Sequence, residues 1–389
     1  MRTIYLNNAT TAYPRAPGAE EALRRVLFGM PEEPGRSVNS GPGVMEECRK
    51  RLAGLMGVEK SERIALLPSA TYALNTAILG MNLQPGERVI TTVLEHNSIL
   101  RPLHHLSLTK GIKTDIVGIG ANGRLNRSAF LEALQKSPRL VIMSHASNVT
   151  GQINDEVEEL FCLAKEQGAV TLLDAVQTLG RIKVSPSSLY ADMVAFAGHK
   201  GLRGPLGVGG LYVSPDIELE QIILGGTGVA SESLIHPGKM PVRLEAGTPN
   251  MPAVAGLNAA LKWLEKEGDS FFRKEIYMAQ KLRKGLREIE GIRLVDDEMV
   301  STRKPLAIVS FTVEGCGIAE IGSWLKEEGI ICRTGFHCAP LIHEPLGCGR
   351  EGTIRLSSSG FTTEVEIEIT LLVMSSIVSN NIKIGLKIK

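Results

Sequence analysis

The feature that most constrains the fold is a regular alternation of short apolar runs and stretches of helical spacing between Arg63 and Val213. Five runs are almost continuously apolar, as expected of strands buried on both faces of a sheet: 63–67, 88–92, 140–143, 169–173 and 193–196. The segments 71–79, 98–109, 128–135 and 155–167 carry helical spacing, and several begin with a capping Ser, Thr or Asp. This alternation predicts an α/β fold with a mostly parallel sheet and helices on both of its faces.

The alternation of strand and helix patterns ends after the glycine-rich segment 225–228. A proline-punctuated stretch leads into helical patterns at 253–267 and 271–289. Further strand and helix patterns at 306–313, 318–328, 353–357 and 364–379 predict a smaller α+β unit. The predicted organisation is an N-terminal segment 1–20 that packs with the small domain, a large domain 21–255 and a small C-terminal domain 256–389.

Charge and composition exclude several classes of protein. The 389 residues carry 43 Lys and Arg against 42 Asp and Glu, so no basic field favours nucleic acid or an anionic membrane. No apolar run approaches the roughly 18 residues of a membrane span, and the N-terminus lacks the apolar region of a signal peptide. Six cysteines are too sparse for a disulfide scaffold. We therefore expect a cytoplasmic protein with reduced thiols.

Polar residues follow three of the predicted strands. His96 lies beyond the second run, Asp174 ends the fourth, and His199-Lys200 follows the fifth. A lysine amine can bond covalently to a carbonyl cofactor while an aspartate holds a protonated pyridine nitrogen, which is the pairing that pyridoxal phosphate requires. Each residue alone is more often a solvated lysine, a helix cap or a surface histidine. Their order at successive strand ends favours a cofactor site.

Two further segments make a family resemblance plain. The opening Tyr5-Leu6-Asn7-Asn8-Ala9-Thr10-Thr11 and the loop Arg333-Thr334-Gly335-Phe336-His337-Cys338-Ala339, with the strand-end motifs, resemble the cysteine desulfurases of the class V aminotransferase superfamily. The resemblance covers essentially the whole chain and is nearer the group II, sulfur-mobilisation branch. It implies fold type I of the pyridoxal-phosphate-dependent transferases, with a mostly parallel seven-stranded sheet in the large domain.

The resemblance also implies an activity. Such an enzyme converts L-cysteine to L-alanine and holds the sulfur as a persulfide on Cys338. The persulfide then passes to a sulfur-acceptor protein that serves iron–sulfur cluster assembly or another sulfur-using pathway.

Cofactor roles follow from the resemblance by matching motif. Lys200 would form the Schiff base with pyridoxal phosphate, Asp174 would pair with the ring nitrogen, and His96 would stack on the ring. Gln177 would contact the ring oxygen. The phosphate would be held by Ala70, Thr71 and His199 and, from the other subunit of a homodimer, by Thr248.

Substrate and sulfur roles follow in the same way. Cys338 would be the nucleophile, Arg355 would hold the substrate carboxylate in a bidentate pair, and Asn148 and Arg333 would lie on the substrate side. The reactive form of cysteine is the thiolate, so we expect positive charge beside Cys338, supplied by His337 and Arg333.

The chain departs from the family pattern in the phosphate region. Ala197 replaces a hydroxyl residue three positions before the lysine, and Pro68-Ser69-Ala70-Thr71 replaces the usual Gly-Thr-Thr turn. Phosphate contacts are therefore lost or are supplied by Ser69. The segment 357–362 also differs from the family's usual sequence after its arginine.

Three alternatives remain. Selenocysteine lyase shares every one of these motifs and is separated only by relative rates. A pyridoxal-phosphate-dependent C–S lyase or aminotransferase would leave Cys338 a bystander. A zinc-binding protein would use His337, Cys338, His343 and Cys348, but their spacing lacks the paired geometry of structural zinc loops, so we expect no metal site.

Overall fold

The computed structural model describes residues 3–29, 43–120, 122–297 and 305–388, with side chains to residue 379. The helices in these ranges are α1 (Ala19–Phe28), α2 (Val44–Met56), α3 (Ala70–Gly80), α4 (Asn97–Lys110), α5 (Arg127–Leu134), α6 (Val157–Glu166), α7 (Met251–Arg287), α8 (Ile318–Glu327) and α9 (Glu364–Ile388). The strands are β1 (Ile4–Tyr5), β2 (Ile64–Leu67), β3 (Arg88–Thr92), β4 (Lys113–Val117), β5 (Leu140–Ser144), β6 (Val170–Asp174), β7 (Met193–Ala197), β8 (Gly209–Val213), β9 (Ile292–Leu294), β10 (Val309–Val313), β11 (Ile330–Ile331), β12 (Arg333–Gly335) and β13 (Thr353–Leu356).

The main sheet has seven strands in the order β2-β8-β7-β6-β5-β3-β4. All neighbouring pairs from β7 to β4 are parallel, whereas β8 runs antiparallel to both β2 and β7. Two hydrophobic clusters cover its opposite faces, because successive strand residues point to alternate sides and helices pack on both. The predicted mostly parallel, seven-stranded α/β sheet is confirmed.

The five predicted strands of this sheet are all present, and β4 and β8 are the two that the apolar runs did not reveal. Strand β4 lies at the sheet edge, where exposed and half-buried Lys, Thr and Asp residues interrupt the apolar pattern. Strand β8 begins with Gly209 and Gly210, residues of low strand propensity. Both strands form because they pair with neighbouring strands. The amino-acid composition of a strand alone does not predict this pairing.

Gly210 allows β8 to approach its neighbours closely. A Cβ atom at this position would lie 2.6 Å from the Ala65 carbonyl oxygen and would also overlap the ring of Phe196. We predict that Gly210→Ala lowers the free energy of unfolding by at least about 2 kcal/mol, since backbone and a packed ring both resist displacement. Chemical denaturation checks this. Gly54→Ala is the matched control: a Cβ there has no neighbour within 4 Å, and Ala in helix α2 should stabilise by about 0.5 kcal/mol. Equal stability of the two variants would contradict the prediction.

Helix α7 corrects one sequence expectation. Two helices were predicted at 253–267 and 271–289, but a single helix of 37 residues runs from Met251 to Arg287. Gly268 does not interrupt it, because it is buried within a stripe of buried residues that extends from Ala253 to Leu286. The predicted domain boundary at residue 255 falls inside this helix, and the division into domains stays a prediction.

A second sheet, in the order β12-β13-β10-β9, is antiparallel throughout and packs with α8 and α9. Near the N-terminus, β1 pairs in parallel with β11. Ile4 and Leu6 are buried in the same cluster as the core of this sheet. Residues 4–10 therefore contact residues more than 300 positions later in the chain. No helix in the described ranges is long and apolar enough to cross a membrane.

Candidate active site

A cavity of about 220 Å³ opens at the carboxyl ends of β3, β5, β6 and β7, where the second sheet faces the main one. In α/β sheets this edge is where ligands bind. Ten of the predicted site residues line it: Ala70, Thr71, His96, Asn148, Asp174, Gln177, His199, Lys200, Arg333 and Arg355. Residues separated by as many as 285 positions are therefore brought to one site.

Asp174 and Lys200 form the charged floor of the cavity. Asp174 is 7% exposed and accepts a hydrogen bond from the Val176 amide at 2.9 Å. Burial raises its pKa, while Lys200 acts in the opposite direction. Burial lowers the pKa of Lys200 to about 8, against the attraction of Asp174. The lysine is therefore a neutral, nucleophilic amine near neutral pH in a far larger fraction than a free lysine.

His96 lies in a hydrogen-bonded cluster at the first turn of α4. The Ser98 amide donates to His96 Nδ1 at 3.1 Å, and the Ser98 hydroxyl lies 2.9 Å from the same nitrogen. That hydroxyl is also 2.8 Å from Thr71 Oγ1. Burial lowers the pKa of His96 to about 4, so its ring is neutral. Ser98 thus joins the histidine to Thr71 in the first turn of α3, a role that sequence reasoning did not assign although Ser98 follows His96 by two positions.

The N-terminus of α3 lies at one end of the cavity. Ser69 caps this helix by accepting a hydrogen bond from the Tyr72 amide at 3.2 Å, and its hydroxyl proton is not used in that contact. Burial lowers the pKa of His199, on the opposite side of the turn, to about 4. The helix N-terminus supplies backbone amides that suit an anion. Ala197 lines the cavity without a hydroxyl, whereas Ser69, Thr71 and Ser98 bring hydroxyls to this end.

Two arginines form the opposite wall. Arg355 is 1% exposed and donates to the Asn148 carbonyl at 2.7 Å and to Thr10 Oγ1 at 2.8 Å. Arg333 donates to the same hydroxyl at 3.3 Å. Burial and the charge of Arg333 lower the pKa of Arg355 to about 9. Neither guanidinium pairs with a carboxylate among the described residues, which leaves a positive site suited to a small carboxylate ligand.

Cys338 lies in a hollow that adjoins the cavity and shares Thr71, His96 and Ser98 with it. Arg333 Nη2 is 3.2 Å from Cys338 Sγ, so one guanidinium contacts both the cavity and the thiol. The Asn97 amide donates to the Cys338 carbonyl at 2.7 Å, which ties the loop to the start of α4. His337 and Cys338 both have left-handed backbone angles, with φ values of 50° and 60°, an uncommon pair for residues other than glycine.

The expected charge on His337 is wrong. The side chain is 2% exposed, its Nε2 lies 2.8 Å from Thr353 Oγ1, and burial lowers its pKa to about 2. The ring is therefore neutral, and Arg333 supplies the positive charge beside the thiol. Adjacency in sequence did not reveal this, because the left-handed turn directs the two side chains to different surroundings.

Two further expectations concern residues outside the cavity. Thr248 is exposed and is not among the residues that line it, so its predicted contact requires a second subunit. Of the four residues in the zinc alternative, His343 Nε2 donates to the Phe336 carbonyl at 3.2 Å and His337 contacts Thr353. Within the described residues, no group of three or more His, Cys, Asp or Glu side chains has the arrangement of a metal site.

Comparison with known proteins identifies the family of this chain and its similar relatives. Residues 33–369 match the model of the aminotransferase class-V family. A probable cysteine desulfurase of Pyrococcus abyssi is 35% identical over 349 residues, covering 86% of this chain and 83% of that protein. A probable cysteine desulfurase of Methanothermobacter thermautotrophicus is 30% identical over 332 residues, covering 84% of this chain and 81% of that protein.

Solved structures agree with the sequence matches. The apo structure of a cysteine desulfurase from Thermococcus onnurineus NA1 has a TM-score of 0.88 and 31% identity, covering 97% of this chain and 95% of that one. A cysteine desulfurase of Escherichia coli, with an S-sulfonic acid, has a TM-score of 0.85 and 26% identity, covering 98% of this chain and 95% of that one.

Proposed function

The chain belongs to the class-V aminotransferase family, and on that premise we propose that it is a pyridoxal-phosphate-dependent cysteine desulfurase, with L-cysteine as substrate and Cys338 as the sulfur carrier. The observation that carries the proposal is the contact of 3.2 Å between Cys338 Sγ and Arg333 Nη2, since Arg333 also lines the cavity that contains Lys200 and Arg355. A thiol, a reactive amine and a carboxylate-binding arginine therefore converge on one cavity.

The residues of the cavity fit pyridoxal phosphate. Asp174 is a buried carboxylate that forms no ion pair within 4 Å in the described part of the chain, and a protonated pyridine nitrogen supplies the missing cation. Gln177 donates to the Ala9 carbonyl at 3.0 Å, but its Oε1 is buried without a hydrogen-bond partner among the described residues. This oxygen suits a hydroxyl donor on the ring. Lys200 would hold the carbonyl, His96 the ring face, and Ser69, Thr71 and His199 the phosphate.

When bound, the cofactor supplies an electron sink for the pair of electrons released at the substrate Cα. The side chains of the protein bind the substrate and transfer its proton. Arg355 and Arg333 bind the substrate carboxylate and thereby fix the orientation of Cα. The amine of Lys200, with its lowered pKa, accepts and returns the Cα proton.

The sulfur step uses Cys338. Its thiolate attacks the sulfur of the substrate, an S–S bond forms, and the Cβ–S bond of the substrate breaks with its electron pair left on the carbon fragment. That fragment takes up a proton and leaves as L-alanine, while Cys338 becomes a persulfide. Atoms and electrons balance without an external oxidant, since L-cysteine and the thiol together yield alanine and the persulfide.

Three wider features belong to the same proposal. A sulfur-acceptor protein receives the persulfide, because regeneration of the thiol requires a second nucleophile. The enzyme is a homodimer in which Thr248 of each subunit reaches the phosphate of the other, which accounts for its exposure in the single chain. It acts in the cytoplasm, where a reduced Cys338 persists.

The experiment that tests the function is incubation of the purified protein, loaded with pyridoxal phosphate, with L-cysteine and a thiol reductant. We expect alanine and sulfide in equal amounts. Pyruvate in place of alanine would identify a C–S lyase instead. Parallel rates with L-selenocysteine distinguish the selenocysteine lyase, for which alanine formation from selenocysteine would be the faster reaction by a wide margin.

A further inference from the structure

Glu95 is a buried carboxylate for which the proposed reaction has no use. It is 0% exposed and immediately precedes His96. Its two oxygens accept three hydrogen bonds: from Thr92 Oγ1 at 2.6 Å, from Ser144 Oγ at 2.6 Å and from the Ser144 amide at 3.1 Å. The side chain therefore joins the carboxyl end of β3 to that of β5. Every one of these donors stabilises the ionised form, and no cation of the described residues pairs with it.

Glu95 lies directly behind the cavity floor. Ser144, which donates two of its hydrogen bonds, lines the cavity and pairs with Asp174 in the register of β5 and β6. Asp174, at the end of β6, is the titratable group that acts on Glu95 from the other strands, and His96 is the one beside it in the sequence. Two carboxylates are thus buried near the carboxyl ends of β3 and β6, with β5 between these strands and its Ser144 hydrogen-bonded to Glu95. The two carboxylates repel each other, protonated Lys200 offsets the charge of Asp174 in part, and a further cation beside Asp174 relieves the repulsion.

We propose that Glu95 is a positioning and charge-tuning residue that acts through Asp174, so that two carboxylates in series hold a cationic ring nitrogen bound in the cavity. The inference rests on pyridoxal phosphate as the cofactor. In the absence of a cation, Glu95 shares the repulsion with Asp174; with the cation in place, both carboxylates are stabilised. Cofactor binding and ionisation of Glu95 therefore favour each other.

The pKa of Glu95 lies at a pH where the link between its ionisation and cofactor binding can be measured. Burial raises it to about 7, against the hydrogen bonds from Ser144 and Thr92. Above that pH the carboxylate is ionised and contributes its charge to the cavity, whereas below it the group is a neutral acid. The contribution of Glu95 to cofactor affinity is consequently expected at pH 8.5 and is expected to fade toward pH 5.5.

Glu95→Gln tests the charge and retains the anchoring. The amide oxygen can accept from Thr92 and the Ser144 amide, and the amide nitrogen can donate to the Ser144 hydroxyl, which rotates to accept. We expect the dissociation constant for pyridoxal phosphate, measured by titrating the apoprotein, to increase about tenfold at pH 8.5 and little at pH 5.5. The midpoint of the pH titration of the visible absorption of the bound cofactor should fall, because loss of a negative charge disfavours the protonated form.

Glu156→Gln is the matched control. This carboxylate also accepts a main-chain hydrogen bond, from Leu125 at 2.9 Å, but it lines a different cavity. Thr92→Val provides a second test that keeps Glu95: loss of one donor should move the pH at which cofactor affinity changes upward. An unchanged absorption midpoint in Glu95→Gln, or an affinity loss that is the same at both pH values, would show a purely structural role and overturn the inference. A wild-type protein that binds no pyridoxal phosphate would instead overturn the proposed function.

Discussion

Replacement of Lys200 by Ala is expected to reduce the turnover of L-cysteine by at least about 10³-fold, because the variant lacks both the amine that bonds to the cofactor and the base that moves the Cα proton. The variant should also lose the visible absorption that survives dialysis in the wild type, since its cofactor is held by non-covalent contacts alone. Turnover measured under saturating pyridoxal phosphate separates the loss of chemistry from the loss of cofactor.

Although Lys200→Ala loses activity, we expect its free energy of unfolding to stay close to that of the wild type. Lys200 is half-buried and desolvation lowers its pKa to about 8, so its charge is not stabilised by folding and removal of the side chain is tolerated. Lys183→Ala, which removes an exposed lysine, is the control and should retain full activity. If Lys200→Ala kept more than a tenth of the wild-type turnover, Lys200 would not be the central amine.

Replacement of Cys338 by Ala is expected to abolish desulfuration while leaving cofactor binding intact. The thiol lies in the adjoining hollow and is not among the residues that line the cofactor cavity. We expect a loss of about 10³-fold in alanine formation, since the attacking sulfur is absent and water does not replace it. The dissociation constant for pyridoxal phosphate should stay within about twofold of wild type, because no cavity contact is removed.

Cys316→Ala is the matched control for Cys338→Ala. This half-buried thiol packs beside the core of the second sheet and has no contact with the cavity. Its loss should leave alanine formation unchanged. Alanine formation by Cys338→Ala at the wild-type rate would show that this thiol is a bystander and that another group accepts the sulfur.

The cofactor side of the site was predictable from sequence because its residues follow strands. Asp174 ends β6 and Lys200 lies shortly after β7, and parallel strands deliver their carboxyl ends to one edge of the sheet. Strand prediction therefore predicts their proximity without any knowledge of side-chain contacts. The same rule brought His96, beyond β3, to this edge.

The remaining contacts could not be predicted in that way. Arg355 donates a hydrogen bond to Thr10 across 345 positions, and this contact depends on β1 pairing with β11 in a separate two-stranded sheet. Glu95 and Ser98 flank His96 in sequence, but their roles depend on which neighbours their side chains reach. His337 shows the opposite error, since its adjacency to Cys338 suggested a charge that burial removes. Local sequence predicts positions along strands, whereas long-range pairing and burial decide charge and hydrogen bonding.

The central claim is that sulfur from L-cysteine becomes bonded to Cys338. The most direct test is mass spectrometry of the peptide that contains Cys338, after brief incubation of the loaded enzyme with L-cysteine in the absence of reductant and alkylation of the products. We predict a mass increase of one sulfur atom on that peptide, removable by a thiol reductant and absent from the peptides that contain Cys162 and Cys316. Alanine formation with no sulfur on Cys338, or with sulfur on another cysteine, would contradict the account.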